Sequence, residues 1–178
     1  MQRTALLKQT FKLGWPISLQ NILVTLLSMI DVVMVSHIGD KAIAAVGLSN
    51  RVLFVFMVIV LGLGWGVGIL SAQYYGAGQT KKIRRSLLIA ILFGTAILLP
   101  IVVGSYWFVD DILAFGTTDK DVIAIGQQYL WLTFPSLLFV TVIMAQENAL
   151  RSMNQVKLPL VISALSIVIN VILNFWLI

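Results

Sequence analysis

Residues 13–36 read LGWPISLQNILVTLLSMIDVVMVS, running from Leu13 to Ser36 with one ionisable side chain, Asp31. A bilayer's hydrocarbon core is about 30 Å thick and needs about 20 apolar residues of helix to cross it, so the run is long enough to span a membrane. Working outward, blocks of similar length recur at about 52–75, 86–109, 122–146 and 159–178. Polar connections separate them: His37 to Arg51, Gly76 to Arg85, Asp110 to Asp121 and Glu147 to Leu158. The pattern predicts an all-α integral membrane protein, a polytopic bundle of five transmembrane helices. The first block is too long for a signal-peptide core and has no small-residue cleavage site, so it is expected to stay in the mature protein.

Composition agrees with the block pattern. Hydrophobic residues make up 60% of the 178, charged residues 11%, and the mean hydropathy is +1.00, whereas a soluble domain has about 25% charged residues. Without cysteine there is neither a disulfide nor a thiolate metal site. The net charge of +5 is spread over the connections and forms no patch, which excludes nucleic acid as the expected partner and leaves the lipid bilayer. Counted on alternate sides, nine of the twelve basic residues fall with the N-terminus, the second connection and the fourth, including Lys81, Lys82, Arg84 and Arg85. The other side has only Lys41, Arg51 and Lys120. The positive-inside rule therefore predicts a multi-pass protein of the plasma or inner membrane with a cytoplasmic N-terminus. The last residues, Asn174 to Ile178, carry no helix cap, polar tail or cationic anchor, and the chain is expected to be a fragment.

Asp31 is the residue on which function turns. An acid well inside a span costs a few kcal/mol at least, so it is expected to face a cavity or bundle interior, where it can exchange a proton or hold a cation. At about 100° per residue, Ser18, Asn21, Thr25, Ser28, Asp31 and Ser36 share an arc of roughly 140°. In the fifth span Ser163, Ser166, Asn170 and Asn174 share a narrower arc of about 80°. Such a stripe can meet the first helix, with oxygens suited to a protonated Asp31 or to a sodium ion at Asp31 and Asn170. The competing reading is interhelical hydrogen bonding without further role.

Gly62, Gly64, Gly66 and Gly68 alternate in the second span and form two overlapping small-xxx-small pairs. They read as a packing surface or compliant segment, with Gly62 and Gly66 as the chosen pair. Pro100 and Pro135 fall near the middle of the third and fourth spans and should kink them, while Pro16 opens the first. His37, the one histidine, reads as interfacial. Glu147 and Arg151 read as a surface ion pair, and Trp107, Trp131 and Trp176 as interfacial anchors. No nucleophile with its base, phosphate loop or carboxylate pair is present, so neither an enzyme nor a bound cofactor or resident metal is expected.

These residues resemble a known family. Gly14-Trp15-Pro16 followed by Met29-Ile30-Asp31-Val32-Val33-Met34-Val35 looks like the first helix of the multidrug and toxic compound extrusion (MATE) transporters. Ala72-Gln73-Tyr74-Tyr75-Gly76-Ala77-Gly78 resembles that family's turn after helix two. Ala149-Leu150-Arg151-Ser152, Lys157-Leu158-Pro159 and Ile169-Asn170-Val171-Ile172-Leu173-Asn174 resemble its passage from helix four to helix five. The resemblance implies twelve helices in two pseudo-symmetric lobes around a cavity with alternating access. This chain would then be helices one to five of the N-terminal lobe, with the C-terminal lobe missing. It also implies antiport of amphipathic, often cationic, small molecules against H+ or Na+. Asp31 and Asn170 match the family's N-lobe cation-site residues. Asn174 stands where one branch has aspartate and resembles the NorM-like branch instead.

Two other readings compete. One keeps the architecture with a lipid-linked saccharide as cargo, for which a basic cavity would speak. The other is a small channel or structural membrane subunit complete at 178 residues.

Overall fold

The computed structural model describes residues 2–36 and 39–177. They form six α-helices: α1 (Gln2–Ser36), α2 (Asp40–Gly76), α3 (Thr80–Ala114), α4 (Lys120–Thr133), α5 (Ser136–Ser152) and α6 (Lys157–Leu177). The protein is an all-α membrane helix bundle, as expected, but its helices outrun the apolar blocks and shorten the connections. The breaks fall where the backbone demands a special residue. Gly39 and Gly78 have φ of 126° and 71°, and Asn154 is in the left-handed region at φ 63°, which Gly and Asn tolerate best. His37 lies outside the described residues.

Among the described residues four helices are long and apolar enough to cross a membrane, and α4 with α5, bent by 49°, makes a fifth if the pair is one span. The bend is at Pro135, as expected, and its chemistry is visible. Proline has no N–H to give the carbonyl of Trp131 one turn back. The Tyr106 hydroxyl donates to that carbonyl instead, at 2.8 Å. The Thr133 and Ser136 hydroxyls donate to the Tyr129 and Thr133 carbonyls at 2.9 and 2.6 Å. In lipid a freed backbone group needs such a partner. Helix α3 is continuous through Pro100, so no break accompanies that proline.

The chain divides into two compact units, α1 with α6 and α2 through α5. In the second unit α2 runs parallel to α4, with Lys41 paired to Asp121, Ser49 bonded to Gly126 and Tyr129 bonded to Asn50. Helix α3 packs antiparallel to α2, with Leu63 close to Gly94 and Leu48 close to Gly116. Phe56, Val102, Val109, Leu113, Leu130, Phe134 and Leu137 form the core, in which Phe56 and Phe134 meet edge to face with centroids 5.6 Å apart.

Two expectations change here. Gly62 and Gly66 face open space; Gly64 and Gly68 take the close approach, where a Cβ would come 2.9 Å from Nδ2 and 3.5 Å from Cβ of Asn148 on α5. Residues two apart on a helix point about 200° apart, so only one of the overlapping pairs can meet a neighbour. Glu147 and Arg151 are paired at 2.5 Å, but with side chains only 12% and 27% exposed. They belong to the packed end of α5 and are not a surface pair. Trp107, Trp131 and Trp176 are all exposed.

Candidate functional site

Asp31 acquires its surroundings from the pairing of α1 with α6. The buried or half-buried residues of α1 include Leu13, Pro16, Gln20, Leu23, Leu27, Asp31 and Met34, which share one helix face at three-and-four spacing. On α6 the corresponding set is Ser163, Ile167, Asn170 and Asn174. Two hydrogen bonds tie these faces together. Gln20 Nε2 donates to Ser163 Oγ at 2.7 Å, and Asn174 Nδ2 donates to Asp31 Oδ1 at 3.0 Å.

Both bonds join residues 143 apart in sequence, so α1 and α6 run parallel and in register. Parallel first and last spans require an odd number of crossings between them. Helices α2, α3 and the bent α4–α5 pair supply three, which favours counting that pair as one span.

At the far end of the pairing, the Asn174 amide nitrogen donates at 3.0 Å both to Asp31 Oδ1 and to Asn170 Oδ1 one turn earlier. A single NH2 group thus sits between a carboxylate oxygen and a carboxamide oxygen, all three residues being half-buried. Two acceptor oxygens converge on one amide group, which offers them only partial positive charge.

The structure therefore brings Asp31, Asn170 and Asn174 together, the residues singled out from sequence. Ser166 is not among them: it is exposed, and Ile167 takes its place on the packed face. Gln20 was missed. It is only 5% exposed and lies three helical turns from Asp31, on the same face. The polar arc of α1 proves to be a flank of the packed face. Ser18, Asn21, Thr25 and Ser28 are exposed, and Thr25 and Ser28 return their hydroxyls to the Asn21 and Val24 carbonyls. Asp31 stands where the packed face and the polar flank meet.

A family model described as MatE matches residues 16–176. A probable multidrug resistance protein NorM of Bradyrhizobium diazoefficiens is 29% identical over 174 residues, covering 96% of this chain and 36% of the relative. The Thermotoga maritima protein of the same description is 24% identical, covering 94% and 36%. Among solved structures, a MOP superfamily transporter from Pyrococcus furiosus superposes with a TM-score of 0.86 at 18% identity, over 94% of this chain and 37% of that one. An outward-facing multidrug resistance MATE family transporter gives the same values. The chain thus spans a little over a third of the length of these relatives. It belongs to the MatE family.

Proposed function

We propose that the chain forms one lobe of a cation-coupled transporter that exports amphipathic, often cationic, compounds by alternating access, with Asp31 exchanging H+ or Na+. The observation that carries this reading is the Asn174 amide held between Asp31 and Asn170. A sodium ion entering the site would take the place of the amide hydrogens, and a half-turn of the carboxamide would offer it the Asn174 oxygen as a third ligand. A proton on Asp31 would instead weaken the charge-assisted bond from Asn174. Either event alters the α1–α6 contact at one end and leaves the Gln20–Ser163 bond at the other. A ligand that does so shifts any equilibrium between arrangements of these helices that differ there.

The relatives' description as multidrug resistance proteins supports the efflux reading, and their greater length supports a second lobe completing the cavity. The basic residues around Lys81 to Arg85 support a cytoplasmic N-terminus in the cell membrane. A transport role, with no catalytic step, fits a site of one acid and two carboxamides. A lipid-linked saccharide is disfavoured as cargo because the apolar stretches have no Lys or Arg near their centres.

The test is efflux from proteoliposomes by a transporter of full family length carrying this chain as its first segment. Drug export is expected to follow an imposed proton or sodium gradient and to stop in Asp31→Asn, with insertion unchanged. Undiminished gradient-driven export by that variant would refute the reading.

A further inference from the structure

The second unit carries a groove of about 300 Å3 between the start of α3 and the end of α5. Thr80, Ile83, Arg84 and Leu87 form one wall. The facing wall is Gln146, Ala149, Leu150 and Met153, and the antiparallel register places Met153 opposite Thr80 and Gln146 opposite Leu87. Seven residues of helix rise about 10 Å, so the groove runs about 10 Å along the two helices from their ends.

Charge near the groove is one-sided, and Arg84 is the basic residue that lines it. Lys81, Lys82, Arg84 and Arg85 lie within five residues, all exposed, and among the described residues none of them has an ion-pair partner. Lys82 stands over the Tyr74 ring at 5.7 Å. The neighbouring acid, Glu147, is held by Arg151. Below this cluster the wall is Ile83, Leu87, Ala149 and Leu150. Cationic mouth over apolar wall is complementary to one molecule class: an anion joined to a hydrocarbon chain.

We propose that this groove binds an anionic phospholipid, its phosphate held by Arg84 at the mouth with the exposed Arg85 next to it in the chain, and the upper part of one acyl chain lying between Leu87 and Leu150. Guanidinium groups suit phosphate because they can donate in pairs, and basic pockets between membrane helices are a recognised setting for such headgroups. Gln146 at the lower end supplies an amide donor for an ester carbonyl. The site is remote in sequence from Asp31 and rests on the membrane location alone, so it stands or falls independently of the transport reading.

The experiment places the 178-residue chain in phosphatidylcholine nanodiscs with a trace of phosphatidylglycerol bearing a photoreactive acyl chain, and maps the labelled peptides. Labelling is expected in segments 80–87 and 146–153, competed by unlabelled phosphatidylglycerol and not by extra phosphatidylcholine. At about a fivefold effect per basic group near the surface, Arg84→Gln with Arg85→Gln should lower it roughly twenty-five-fold. Arg84→Lys with Arg85→Lys should keep most of it. Leu150→Trp should also abolish it, while Val161→Trp on the exposed side of α6 should not, with helical content checked by circular dichroism in each variant. Four results would overturn the proposal: equal competition by phosphatidylcholine, competition by glycerol phosphate alone, labelling indifferent to both arginines, or a cross-linked pair of chains at these segments, which would make the occupant a second copy.

Discussion

The carboxamide of Asn174 donates to the carboxylate of Asp31 at 3.0 Å, and Gln20 donates to Ser163 eleven residues earlier on both helices. The two bonds are the same interhelical contact made three turns apart, once with a charged acceptor and once with a neutral one. The neutral bond can hold register without responding to cations. The charged one holds register and is open to competition.

The two contacts should therefore separate by mutation. Ser163→Ala is expected to cost about 0.6 kcal/mol, the ordinary worth of a membrane hydrogen bond, and to leave ion dependence unchanged. Asp31→Asn should remove ion dependence, because the carboxylate that a cation or proton would occupy is gone. Thermal unfolding of the purified chain with and without sodium, and at two pH values, distinguishes them.

The bend at Pro135 predicts a double-mutant cycle. Tyr106→Phe removes the donor to the Trp131 carbonyl and should cost about 0.5–1.5 kcal/mol. In a Pro135→Ala background the restored N–H can serve that carbonyl, so the same substitution should cost little. Equal costs in the two backgrounds would mean the hydroxyl does not replace the missing backbone bond.

Glycine positions should divide by face. Gly64→Leu thrusts a side chain at Asn148 and Met144 and is expected to cost about 1–3 kcal/mol through overpacking. Gly62→Leu, facing open space, should stay within about 0.5 kcal/mol. Denaturation of the two variants in the same detergent compares them directly.

The connection before α4 should confer a dependence on acid. Asp119 accepts from the Asp121 backbone N–H at 2.9 Å and lies 3.6 Å from Lys41. The backbone bond first, and the lysine charge after it, hold its carboxyl below the ordinary value of 3.8. A folded-state pKa below the unfolded one stabilises the fold above the unfolded value, and the benefit is lost as pH falls through the folded one. Asp119→Asn, which keeps a capping oxygen, should flatten that acid limb of the melting profile. An unchanged limb would assign it to other groups.

How much of this was legible in sequence depends on whether the signal was local. The spans, the Pro135 bend and the grouping of Asp31, Asn170 and Asn174 follow from run length and helical spacing, which the backbone enforces. Gln20 carried the same signal, eleven residues before Asp31 on one face, but an uncharged side chain among apolar ones drew no notice. The exchange of Ser166 for Ile167 reflects a stripe assigned by polarity where packing decides. Gly62 and Gly66 could not be told from Gly64 and Gly68, since only the position of α5 selects between opposite faces. The Tyr106 bond to Trp131 and the partial burial of Glu147 and Arg151 depend on neighbouring helices, and no local pattern encodes them.

The central claim is that a cation or proton at Asp31 displaces the Asn174 amide, and the side-chain amide resonance of Asn174 in the 15N-labelled chain reports on it directly. The account predicts a saturable shift on adding sodium or on acidifying, absent in Asp31→Asn, with the Gln20 amide resonance unmoved. An Asn174 resonance indifferent to both, or one that still responds in Asp31→Asn, would contradict it.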